Sequence, residues 1–308
     1  MLTGLFIDAF VLQLDVGYEM SEVDWNIAGL PQYAESPNVL SELTFRDMDS
    51  PALNVHINGM KLLSEDWAAI VELSYLKTMP PEGTVQDSDY DLNDREGEFS
   101  RSYSDIDGND RNSWSISGGV KTRWLGSVGH YASASVGFSH DTWDMQMVNG
   151  YQSVLTDEFG NPDPRFIGPF PGLDARYQAE FSGVFFKLST EHQLGSTFLG
   201  ISAKYHSHLR FDGEGEWNLR QNLRQPKSFT HEANGTGFTA TIDWTIPITS
   251  AIDTFVRANY QSLSASDGVD QTFVIDDLAS QGYVTYLTPL NEANAEATSL
   301  WVGLRYNF

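Results

Sequence analysis

Apolar and polar residues alternate with a period of two along most of the chain. From Phe10 to Tyr18, Phe10, Leu12, Leu14, Val16 and Tyr18 fall on one face and Val11, Gln13, Asp15 and Gly17 on the other. Leu53 to Ile57 alternates around Asn54 and His56. Between Leu199 and Phe211, one face carries Leu199, Ile201, Ala203, Tyr205, Leu209 and Phe211, interrupted by Ser207. The other carries Gly200, Ser202, Lys204, His206, His208 and Arg210. Phe238 to Ile246 and Leu300 to Phe308 repeat the pattern. Alternation of this kind predicts strands with one apolar face. A recurrent second face bearing Lys, Arg and His is foreign to a sandwich core. It suits a sheet whose outer face meets lipid and whose inner face lines a wet lumen.

Ten such runs are visible, near 8–20, 39–62, 67–78, 114–123, 130–149, 174–189, 197–212, 237–246, 252–265 and 295–308. Tight links at Ser64–Asp66, Leu125–Ser127, Thr190–Gln193 and Pro247–Ser250 alternate with long polar stretches at 21–38, 79–113, 150–173, 213–236 and 266–294. Short turns at one end and long loops at the other mark a transmembrane barrel. A sheet in hydrocarbon must close, because an open edge leaves backbone groups unpaired. The expected fold is therefore all-β: one ten-stranded antiparallel transmembrane β-barrel over residues 1–308, with periplasmic turns and termini and long extracellular loops. About ten membrane residues per strand leave much of the chain to extend the strands above the bilayer. Trp67, Tyr75, Trp114, Trp124, Tyr131, Trp143, Tyr260 and Trp301 are expected in interfacial girdles. The terminal run Leu300 to Phe308 ends in an aromatic, resembling the strand that bacterial barrel-assembly machinery recognises. Met1 to Leu5 lacks a basic segment followed by an apolar core, so an outer-membrane location implies a signal peptide already removed.

Charge changes the picture. Forty-two Asp and Glu against 18 Lys and Arg give a net charge of −24, which argues against nucleic-acid phosphate as a partner. With no cysteine, thiol nucleophiles, thiolate metal sites and disulfides are excluded. Residues 80–112 hold ten acidic residues and three arginines, a local charge of −7. A carboxylate cluster over a lumen attracts cations and lets neighbouring acids resist joint ionisation. Within it, Asp87 and Asp89 lie two apart, so on a strand both point the same way and could hold a water between them. Asp105, Asp107 and Asn109 copy the opening of an EF-hand loop, but Asp110 replaces the required Gly and Ile116 the bidentate acid. A loosely bound divalent cation is the one metal expectation, and no cofactor is required. Phosphate-loop, zinc-protease and serine-elbow motifs are absent.

The segments Ser41–Phe45, Ala52–Val55, Val85–Asp91 and Arg101–Asp105 resemble the omptins, ten-stranded outer-membrane endoproteases. The likeness runs loosely from about residue 10 to Phe308 and is tightest over 39–116. It implies that Asp87 and Asp89 form one half of a catalytic cleft. The family's other half is an Asp-x-His beyond the seventh strand, which falls here in Phe211–Trp217, where no His stands. Candidates to complete the site are Asp212 with His208 or His231; on a regular strand His206 and His208 share the face of Asp212 and point into the lumen. Omptins also bind lipopolysaccharide through basic residues on the outer wall. Phe138, His140 and Thr142 stand where the family has an aromatic, an acid and an Arg, so that phosphate site is not evident.

Two functions follow. In the favoured one, the barrel is degenerate or non-proteolytic, embedded in outer-membrane lipid, and its acidic extracellular cleft binds cationic peptides or a protein partner. In the other, Asp87, Asp89 and a displaced His cleave near basic residues. A small porin is a third reading, disfavoured because side chains largely fill a ten-stranded lumen.

Overall fold

The computed structural model describes residues 8–30, 36–108, 110–123, 129–157 and 159–308. The described strands are β1 (Ala9–Ile27), β2 (Ser41–Leu62), β3 (Trp67–Thr78), β4 (Glu82–Tyr90), β5 (Glu98–Asp107), β6 (Arg111–Arg123) and β7 (His130–Leu155). They continue with β8 (Gly168–Pro169), β9 (Ala175–Leu194), β10 (Thr197–Glu216), β11 (Phe229–Pro247), β12 (Ile252–Ile275) and β13 (Tyr283–Asn307). All pair antiparallel, and β1 pairs with both β2 and β13, so the sheet closes. β3 and β4 both lie against β2 and form one stave, broken where Pro80 and Pro81 supply no N–H. β5 and β6 both lie against β7 and form another, broken after Gly108. The two-residue β8 only flanks β7. The described strands thus make ten barrel staves.

The strands run well beyond the expected runs: β7, β12 and β13 have 26, 24 and 25 residues. Much of each long polar stretch is strand, forming a tall extracellular extension. One tight link moves. The sequence reading turned the chain at Thr190–Gln193, but β9 continues to Leu194 and the reversal falls at Gly195, whose φ of +64° suits glycine. The link expected at Leu125–Ser127 lies outside the described residues, as does Trp124.

The lower and upper halves are built on opposite rules. In the lower half the apolar face points out: Leu14, Val16 and Tyr18 on β1, Phe186 and Leu188 on β9, and Val302 and Leu304 on β13 are about half exposed or more. Gln13, Asp15, Glu19 and His206 point inward and are buried. In the upper half the interior is apolar. Trp25, Leu43, Phe45, Met145, Tyr177, Phe181, Phe211, Phe229 and Leu263 form one buried cluster, each large side chain adding about 1.5–3 kcal/mol. The reason is solvent. Hydrocarbon surrounds the lower wall, so polar groups must go inside; water surrounds the upper wall, so apolar groups go inside.

Strands switch rule in two ways. β9 runs straight and its pattern changes phase: Phe186 and Leu188 face out, while Phe181, Ala179 and Tyr177 face in. β10 keeps its pattern and changes its backbone. A bulge after His206 sets two residues against one, with His208 at φ +53°. Ile201 and Tyr205 below it are exposed, whereas Leu209 and Phe211 above it are buried.

The girdle expectation holds in part. Trp67, Tyr75, Trp114 and Tyr260 are exposed, but Trp143 and Trp301 are buried inside, and Tyr131 lines the lower lumen. Trp301 lies across Gly17, where a Cβ would come within 2.4 Å of its ring. Between the halves sits Arg111. Its guanidinium donates to Glu19 and Asp141, each at 2.7 Å, and to Gln261, and lies 4.4 Å from the Trp143 ring centroid. This cluster ties β1, β6, β7 and β12 together under the aromatic core.

Candidate extracellular site

Asp87 and Asp89 lie on β4 with the parity of Val85, which is buried in the upper core. Both therefore point inward near the extracellular rim, partly buried. Ser41 on β2 and Ser100 on β5 flank Asp89 across the ladder, and Arg220 on the β10–β11 loop faces both acids. Burial, then the charge of Asp89, pushes the Asp87 carboxyl above the ordinary range, and burial raises Asp89 as well. Neighbouring carboxyls disfavour each other's ionised form.

The opposite wall does not complete an omptin-type cleft. Because of the bulge in β10, His208 is exposed on the outer surface. Asp212 also faces outward and pairs with Arg210 at 2.7 Å. Glu214 faces out toward Lys227. The expectation that His206, His208 and Asp212 share a lumen face is thus corrected: His206 is buried inside between Ser139 and Thr239, and the other two are outside. The inward positions of this segment are Gly213 and Gly215. A Cβ at Gly213 would come within 2.5 Å of the Tyr177 hydroxyl, and one at Gly215 within 2.1 Å of the Phe229 ring. Aromatic rings fill the space where the second catalytic half was sought. The expected open acidic cleft is replaced by an acidic pair at the rim of a packed interior.

His231 lies on β11 rather than in a loop, and is 1% exposed. Its Nδ1 is 3.0 Å from the Tyr177 hydroxyl and its Nε2 is 3.3 Å from Asp270 Oδ1. Asp270 Oδ2 accepts from Thr272 at 2.9 Å and Thr288 at 3.0 Å. A Tyr177 hydroxyl donating to Nδ1 places the ring proton on Nε2, facing the carboxylate. Burial and the charges of Asp270 and Asp24 push the Tyr177 hydroxyl well above its usual range, keeping it a neutral donor. Trp25 packs edge-on against the imidazole at 4.6 Å. Among the described residues no hydrogen bond or ion pair joins His231 to Asp87 or Asp89. No local sequence signal marks the Tyr177–His231–Asp270 chain, whose members come from three strands, or Arg220.

The remaining candidates scatter. Asp105 and Asp107 lie on the exposed face of β5, and Asp105 accepts from the Asn149 amide at 3.0 Å. Asp105 and Asp107 thus stand on extended strand; Asn109 lies outside the described residues. Among the described residues no three acidic or His groups are disposed to hold a metal. On the outer wall Phe138 and His140 pack against Trp114, and Thr142 bonds His140.

Comparison with known proteins agrees with this architecture. The outer membrane protease OmpT from Escherichia coli superposes over the whole of both chains, with a TM-score of 0.78 and 13% sequence identity. At that identity the likeness extends to the fold alone. A FadL homologue of Pseudomonas aeruginosa aligns at 10% identity over 98% of this chain and 91% of its own, with a TM-score of only 0.32. The translocator domain of the autotransporter NalP from Neisseria meningitidis aligns at 11% identity over 96% and 88%, with a TM-score of 0.35. No curated protein sequence matches. The family described as Protochlamydia outer membrane protein matches residues 13–308. With a closed barrel, a lipid-facing belt and an omptin-like fold, the chain is an outer-membrane β-barrel and belongs to that Protochlamydia outer membrane protein (Pom) family.

Proposed function

We propose that this barrel is a non-proteolytic surface protein whose acidic extracellular extension engages a cationic peptide or protein. The observation that carries the reading is the occupation of the second catalytic half by Gly213 and Gly215 under Tyr177 and Phe229. The acidic residues of that segment, Asp212 and Glu214, are displayed outside instead. Further acids face outward elsewhere on the wall: Glu22 and Asp24 on β1, Glu292 and Glu296 on β13. A negative wall of this kind steers cationic partners by long-range attraction, which salt screens.

The competing reading, proteolysis through Asp87, Asp89 and a displaced His, is favoured by the His231–Asp270 pair alone. That pair is sealed under Trp25 and Phe229, with no opening to a bound peptide. A porin role is opposed by the same aromatic packing across the interior. The test uses refolded protein in detergent with a dibasic fluorogenic peptide, with and without lipopolysaccharide, across pH 5–9. No turnover is expected, together with peptide binding that weakens steeply as salt is raised. Turnover abolished by Asp89→Asn and by His231→Ala would overturn the proposal, as would absence of binding at low salt.

A further inference from the structure

Below the Arg111 cluster the lumen encloses a cavity of about 530 Å³, within the roughly 300–1,000 Å³ range of small-molecule sites. Its lining reaches Ala9, Phe198 and Asn307 at the short-turn end and stops at Arg111 and His206 above. Among the described residues it opens toward the periplasmic side. Its lining is densely charged, with six cations and five carboxylates. Around His56 gather four cations, Arg257, Lys204, Lys187 and Arg305. Three carboxylates answer them. Asp15 is 2.9 Å from Arg257, Glu72 is 2.8 Å from Lys187, and Asp243 is 3.8 Å from both Arg257 and Arg305.

Among the described residues, Lys204 has no carboxylate within 4 Å. Its ammonium lies 4.9 Å from the Phe185 ring centroid, a cation–π contact. It also stands directly across the β9–β10 pair from Lys187. Like charges facing each other across a ladder destabilise a sheet, and Glu72, whose charge reaches both, makes its direct ion pair with Lys187. Lys204 thus lacks a direct ion-pair partner among the described residues at a position that lines the cavity, with Glu72 and Asp141 acting on it only from farther away. Asp253, at the lower lip, is bonded by the Asn307 amide.

We infer that this lumen is a binding site for a small oxyanion, a carboxylate or phosphate group that enters from the periplasm and is held by Lys204 with Lys187 and Arg257 close by. The inference does not rest on the extracellular reading. An ammonium in a sheltered cavity binds such a group more strongly than in bulk water, and Lys204 gains a direct anionic partner. The ligand need not cross the barrel, because the Arg111 cluster and the aromatic core close the route upward.

The experiment follows the reactivity of Lys204 in the refolded full chain. Brief acylation with a small anhydride, read by peptide mass spectrometry, gives the Lys204 rate relative to the exposed Lys227. Inorganic phosphate and acetate are titrated in separate arms with chloride as the control. At about ten times the Kd the Lys204 rate should fall about tenfold, and the arm that protects identifies the oxyanion class. Calorimetric binding of that ion should be lost in Lys204→Met and retained in Lys204→Arg, which keeps the charge and reports on folding. Equal Lys204 rates in all three arms, or undiminished binding to Lys204→Met, would overturn the inference.

Discussion

Arg111→Met removes the cation that ties the two halves together. The methionine roughly fills the volume of the side-chain stem but leaves Glu19 and Asp141, 1% exposed each, without their partner. Breaking a buried ion pair by deleting one member costs about 3–5 kcal/mol, chiefly because the remaining charge is stranded. Two carboxylates are stranded here, so the upper end of that range is expected. At 1.36 kcal/mol per tenfold, the folding equilibrium falls by about two to four decades. Neutralising the acids as well, in Arg111→Met with Glu19→Gln and Asp141→Asn, should restore most of the loss, since buried ionic sets are often replaceable by neutral ones. Arg111→Lys should fall between, because an ammonium lacks the planar fork that reaches Glu19, Asp141 and Gln261 at once. The assay is equilibrium urea unfolding of the refolded barrel in detergent, followed by tryptophan emission, with Trp143 stacked on the guanidinium as a local reporter. A loss below about 1 kcal/mol for Arg111→Met, the size of an exposed pair, would refute the assignment of this cluster as the tie between the halves. So would a triple variant no more stable than the single one.

Three further outcomes are expected. Asp87 binds its proton more tightly in the folded barrel than in the unfolded chain, so its contribution favours folding at acid pH and is lost as pH rises from about 4 toward about 8; urea midpoints measured across that window should show Asp87→Asn gaining on the parent as pH increases, and parallel curves would contradict it. His231→Leu leaves the buried Tyr177 hydroxyl unanswered, a loss of about 1–3 kcal/mol; hydrogen exchange should quicken in 229–233 and 268–272 while the lipid-facing segments stay protected, and uniform quickening would contradict a local role. Asp212→Asn and His208→Ala, both on the outer wall, should each change stability by no more than about 0.5 kcal/mol; a loss above about 2 kcal/mol in either would mean that the side chain packs inside.

The period-two rhythm by itself determined a closed antiparallel barrel, the short-turn and long-loop ends, and the outward set Leu12 to Tyr18. Lipid imposes an unbroken apolar outer face, and that demand is written into local sequence. Sequence also placed Asp87 and Asp89 together, because residues two apart on a strand share a face. What it left undecided is which face that becomes once the strand leaves the bilayer. Leu209 and Phe211 continue the parity of Ile201 and Tyr205, yet a single bulge at His208 sends them inward and turns Asp212 out. An extra residue in a ladder leaves little mark on the apolar pattern, since the same alternation satisfies lipid outside or a core inside. Trp143 and Trp301 were read as girdle residues, but their parity in the closed barrel puts them in the interior. The Tyr177–His231–Asp270 chain, the Arg111 cluster and the lysine pair of the lower lumen each draw on several strands distant in sequence. Only the register of the closed sheet brings them together.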